Sequence, residues 1–82
     1  MGLVDYIESV MTVARYKILR DGTYYGAIPG FKGVWASGRT LEACREELQE
    51  VLEDWILLKV RDGDRLPAIK GKALKIPATV HA

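Results

Sequence analysis

The segment from Leu41 to about Arg61 constrains this chain more than any other part of it. Leu41, Cys44, Leu48, Val51, Leu52, Trp55 and Ile56 recur at i, i+3, i+7, i+10, i+11, i+14 and i+15, which is one continuous apolar stripe along a helix. Thr40 stands where a hydroxyl N-cap belongs, and Glu42 in the first turn suits the positive end of the helix dipole. Lys59 and Arg61 suit the negative end, and Gly63 can take the left-handed position that closes the helix. Such a stripe must be covered by a second layer. A chain of 82 residues buries only roughly 60% of its unfolded surface, so it supplies one core and one domain.

The covering layer is legible upstream. Arg15 to Leu19 alternates charged and apolar residues as a half-buried strand does, Asp21-Gly22 offers a hairpin turn, and Thr23 to Ile28 forms a second strand. Pro29-Gly30 and Gly33 bend the chain, and Val34 to Ser37 reads as a third strand stopped by Gly38. Before the meander, residues 3 to 14 place Leu3, Val4, Ile7, Val10, Met11 and Ala14 at helical spacing. After the long helix, 63 to 71 is a loop, and Lys72 to Ile76 alternates again before Pro77 removes a ladder donor. The expected fold is therefore α+β, a two-layer α/β sandwich of order α-β-β-β-α-β. The first three strands form an antiparallel meander with the long helix across one face, and a right-handed crossover sets the last strand parallel beside the first. Residues 1–82 form a single domain, with an N-terminal helix over 1–14, the sheet and long helix over 15–76, and a tail over 77–82.

Charge and cysteine usage narrow the function. Twelve Lys and Arg against eleven Asp and Glu give a net charge of +1, so no global field points to nucleic acid or membrane. The local distribution is uneven. Glu42, Glu46, Glu47, Glu50, Glu53 and Asp54 crowd the long helix against Arg45, Lys59 and Arg61, whereas Lys70, Lys72 and Lys75 are the only charges after Arg65. One cysteine and one histidine cannot make a disulfide or the usual structural zinc site, so no metal or cofactor is expected. Asp5 and Glu8 interrupt the first apolar stretch, so it does not read as a signal peptide, and no uncharged run approaches the roughly 20 residues that span a bilayer. The chain reads as soluble and cytoplasmic, with no membrane partner.

Each candidate for catalysis has a plainer reading. The helix carboxylates would need acids on the strands to build a metal-dependent nuclease site, and no strand interior holds Asp or Glu. Cys44 falls on the apolar stripe and His81 is penultimate, so the two do not read as a nucleophilic pair. Gly26, Gly30, Gly33 and Gly38 lack phosphate-loop spacing and read as turn and bulge residues. Lys70, Lys72 and Lys75 have no interleaved aromatics and read as a solvated tail. The expected catalytic set is empty, and a nuclease is the remote alternative.

The aromatics fit an interface better. Tyr24 and Tyr25 are adjacent on one strand, so one enters the core and the other faces away from it, and Trp35 alternates with Val34 and Ala36. A sheet face bearing such rings suits a docking surface, unless the N-terminal helix covers it. The expected partner-binding residues are Tyr24, Tyr25 and Trp35, together with the i, i+4 row Glu42, Glu46, Glu50 and Glu53.

The stretch from Tyr24-Tyr25-Gly26-Ala27-Ile28-Pro29-Gly30 through Phe31-Lys32-Gly33-Val34-Trp35-Ala36-Ser37-Gly38 to Thr40-Leu41-Glu42-Ala43-Cys44 resembles the HicB-like antitoxin family. Ala43 replaces the usual second Glu, and Trp55 and the exit Arg61-Asp62-Gly63-Asp64 continue the pattern, so the resemblance covers residues 15 to 69. It implies a partial ribonuclease H-like fold without metal-binding acids. It further implies a non-catalytic module that neutralises a small basic HicA-like RNA-cleaving toxin by covering its active site. Many family members add a C-terminal DNA-binding domain. Seven residues follow Lys75, so DNA is not an expected partner. Self-association as a dimer or tetramer is expected from uncovered strand edges. The alternative is an orphan oligomeric domain of the same fold with an unrelated partner.

Overall fold

A computed structural model of the protein describes residues 2–67. The elements run α1 (Leu3–Thr12), β1 (Arg15–Ile18), β2 (Tyr24–Ala27), β3 (Trp35–Gly38) and α2 (Leu41–Arg61). This is the expected order as far as the second helix. The expected strand over 72–76, its parallel pairing beside β1 and the tail over 77–82 lie outside the described residues.

The sheet has the order β1-β2-β3, antiparallel throughout, with Arg15 opposite Ala27, Lys17 opposite Tyr25, Tyr25 opposite Ser37 and Ala27 opposite Trp35. Local chemistry closes both connections. Gly22 takes φ +87° in the first hairpin, where the Asp21 carboxylate accepts from the Thr23 hydroxyl at 2.6 Å and from its N–H at 3.0 Å. Those two bonds hold the Asp21 carboxyl below its ordinary range. In the second connection Gly30 and Gly33 take positive φ, and Phe31 between them turns inward to become a core residue.

Two glycines play a different part from the expected one. Gly26 and Gly38 lie within strands β2 and β3 rather than at turns or bulges, and both are places where α2 comes very close to the sheet. A Cβ on Gly38 would sit 2.6 Å from the backbone nitrogen of Cys44, and one on Gly26 would sit 2.8 Å from the Tyr16 ring and 3.2 Å from Cys44 Sγ. The missing side chains let the first turns of the helix settle onto the strands.

Helix α2 has the caps that its sequence specifies. Thr40 Oγ1 accepts from the Ala43 N–H at 3.0 Å, and Gly63 follows the last turn at φ +76°. Cys44, Leu48, Leu52 and Ile56 are its buried residues. Leu41, expected on the stripe, is exposed, because the first turn precedes the point where helix and sheet meet at Cys44. Trp55, also expected in the core, is half-buried on its flank, with its ring 5.0 Å from Phe31 and 5.1 Å from the Lys59 ammonium.

Helix α1 is shorter than expected, ending at Thr12 with Val13 as its C-cap, and of its expected stripe Ile7, Val10, Met11 and Ala14 pack in or against the core. Tyr6, Val10 and Met11 are its buried residues, while Leu3 and Val4 in the first turn are exposed. Tyr6, which the expected stripe leaves out, is buried, and its hydroxyl donates to the Pro67 carbonyl and ties α1 to the chain leaving α2. Burial pushes the Tyr6 phenol up to about 12. The core thus joins α1, the inner sheet face and α2 in one cluster.

Candidate functional site

Strand alternation sorts the sheet residues into two faces. Tyr16, Gly26, Ala36 and Gly38 turn toward α2. Arg15, Lys17, Tyr25, Ala27, Trp35 and Ser37 occupy the other face, which is fixed by the register of the three strands. Helix α1 packs with α2 and the core rather than over this second face, so among the described residues nothing covers it. Trp35 is 55% exposed. Its ring stacks on Tyr25 with centroids 5.9 Å apart and planes 26° apart, and the Lys17 ammonium lies 5.4 Å from the Tyr25 centroid. Tyr25 is thus the tyrosine on the outer face, and Tyr24 shares the inner side with Gly26, both being half-buried or buried.

The acidic residues form a second surface. Glu42, Glu46, Glu50 and Glu53 are all exposed on α2. Glu53 accepts from the Gln49 amide at 3.1 Å, and Arg45 shares a shallow surface with Glu42 and Glu46. Among the described residues the one ion pair joins Lys59 and Asp64 at 3.7 Å, away from this row. The row then changes character. Glu46, Glu50, Glu53, Leu57 and Val60 follow each other at alternating steps of four and three along one side of the helix, and Leu57 and Val60 are 63% and 55% exposed. Sequence reasoning passed over these two aliphatics because it read the outer face as wholly solvated. The continuation of the glutamate spacing into Leu57 and Val60 was the available signal.

These surfaces point in opposite directions. Helix α2 lies on the inner side of the sheet with Cys44, Leu48, Leu52 and Ile56 turned to the core, so its glutamates face away from the sheet while Trp35 and Tyr25 face away from the helix. The residues expected to serve one interface are two surfaces on opposite sides of a two-layer molecule, and a compact partner seated on one does not touch the other.

Among the described residues no group of three or more His, Cys, Asp or Glu side chains is gathered as a metal site needs, and no helix is long and apolar enough to cross a membrane. Cys44 is fully buried, its thiol directed to the Ala36 carbonyl at 3.7 Å, and burial raises its pKa. Both features work against a nucleophilic thiolate.

The UPF0150-like family model matches residues 5–67, which takes in most of α1, the whole sheet and α2. The chain belongs to the UPF0150-like family. Among solved structures, the crystal structure of TTHA0281 from Thermus thermophilus is similar to this UPF0150-like chain at 41% sequence identity and a TM-score of 0.79, over 84% of this chain and 86% of that one. No curated protein matches it.

Proposed function

We propose that this UPF0150-like protein is a non-catalytic, antitoxin-type binding module of the HicB-like kind, which neutralises a small basic RNA-cleaving toxin by covering its active site. The observation that carries the reading is the outer row of α2, where exposed Glu46, Glu50 and Glu53 run into exposed Leu57 and Val60. A protein that cleaves RNA needs a positive surface to hold phosphates, and a row of carboxylates is its electrostatic complement. Charge speeds the encounter, and the aliphatic end supplies desolvated contact that slows release. Helix α2 is about 31 Å long at 1.5 Å per residue, long enough to present both parts to one small partner. The absence of carboxylates from the strands and the buried state of Cys44 support a module without chemistry of its own.

The test is co-expression with the product of the adjacent reading frame. A small basic protein that arrests growth alone, is rescued by this chain and co-purifies with it is the expected result. A harmless neighbour, or rescue unaffected by replacing Leu57 and Val60 with Asp together, removes the reading. A self-associating domain with an unrelated partner is the second reading. It is favoured by β1, which pairs only with β2 among the described residues and leaves Ile18 65% exposed near that edge. Light scattering that finds a strict monomer at micromolar concentration rules it out.

A further inference from the structure

The outer sheet face is unused by the α2 reading, and its chemistry differs from that of every other surface. Its two cations, Arg15 and Lys17, stand on β1, its two rings on β2 and β3, and none of the three strands carries an acid. The cross-strand rows give it shape. Lys17, Tyr25 and Ser37 lie side by side in one row, and Arg15, Ala27 and Trp35 in the next. Ala27 is therefore a short side chain between Arg15 and Trp35, whose backbones stand roughly 10 Å apart across two strand spacings. Lys17 and Trp35 both lie against the Tyr25 ring, and the exposed indole is the more open of the two rings.

We propose that this face binds single-stranded RNA, with one base stacked on Trp35 over Ala27 beside Arg15, and with Lys17 and Arg15 meeting the flanking phosphates. Stacking on an exposed aromatic beside cations is how sequence-tolerant single-strand binders work. Tyr25 and Ser37, cross-strand neighbours on this face, carry hydroxyls that can serve as partners for the ribose 2′-OH that DNA lacks. Three strands of four residues have a footprint of roughly 200 Å², on which two or three bases fit.

Binding on this face is independent of the α2 surface, and its test leaves α2 out. The intact chain is titrated into a fluorescein-labelled oligouridine of about eight nucleotides at roughly 50 mM salt, followed by anisotropy. In a Trp55→Phe background Trp35 is the remaining indole, and its emission should be quenched as the RNA saturates. The expected pattern is weak, saturable binding that falls about tenfold in Trp35→Ala and persists in Trp35→Phe. Arg15→Gln and Lys17→Gln should each weaken it and reduce the salt slope by about 0.7. Replacement of Glu46, Glu50 and Glu53 by Gln should not weaken it. Circular dichroism identifies any variant that has lost its fold. No saturable binding, binding indifferent to Trp35→Ala in a folded variant, or equal affinity for the matching DNA each overturns the proposal. So does a change of oligomeric state caused by Trp35→Ala, which would assign the face to a second copy.

Discussion

A β-carbon at residue 38 would meet the backbone nitrogen of Cys44 at 2.6 Å, and a backbone atom inside a helix cannot step aside. A β-carbon at residue 26 would meet the Tyr16 ring at 2.8 Å, and a side chain at the sheet's edge can turn. Gly38→Ala should therefore cost about 2–3 kcal/mol and Gly26→Ala distinctly less, with the order read from urea midpoints. Equal costs would mean that the helix, not the ring, yields. Tyr6 couples stability to pH. Its phenol titrates at about 12 in the folded state and near 10 when exposed, so above pH 10 the unfolded chain loses its proton first and binds fewer protons than the folded one. Stability then declines with rising pH across the window from 10 to 12, by about 2 kcal/mol for this group. Burial raises the Tyr16 and Cys44 pKa values too, which adds to the decline in the same direction. Tyr6→Phe should have a shallower fall over that window, and an unchanged slope would show that the hydroxyl is not buried in solution.

At the scale of elements, α2 was legible to the residue because its signals agree: the Thr40 cap, the stripe and Gly63 all specify one helix. Helix α1 was legible in its stripe from Ile7 to Ala14 but not in its first turn. The burial of Tyr6 depends on a long-range bond to Pro67 that no local pattern encodes. The strands were found with ends shifted by one residue, since their boundaries depend on partners. Gly26 and Gly38 read as breakers because sequence does not reveal that a helix will press against them. The stripe on α2 was likewise too generous at Leu41 and Trp55. Burial along the stripe therefore ranks the cost of truncating it. Leu52→Ala, at a fully buried position, should cost about 3–4 kcal/mol, and Trp55→Ala about 2, since that ring is only partly buried against the core. A larger loss for Trp55 in urea unfolding would place its ring inside the core.

At the scale of the whole molecule, the sequence could name candidate residues but not their division between two sides, because that depends on which side of the sheet α2 covers. Once α2 lies across Gly26 and Gly38, the glutamate row and the Trp35 face cannot be one interface, and they should respond to different ligands. Kinetics against the adjacent gene product separate them. Replacing Glu46, Glu50 and Glu53 by Gln removes three charges from the steering field, so association should slow severalfold at low salt and its salt dependence should flatten, while dissociation changes little. Replacing Leu57 and Val60 by Asp removes desolvated contact, so dissociation should speed up. Trp35→Ala lies on the far side of the sheet and should alter neither rate. Surface-based kinetics at two salt concentrations give all three answers from one set of proteins. If Trp35→Ala speeds dissociation while the glutamate variant behaves as wild type, the partner sits on the sheet, and the outer row of α2 is an ordinary solvated helix surface.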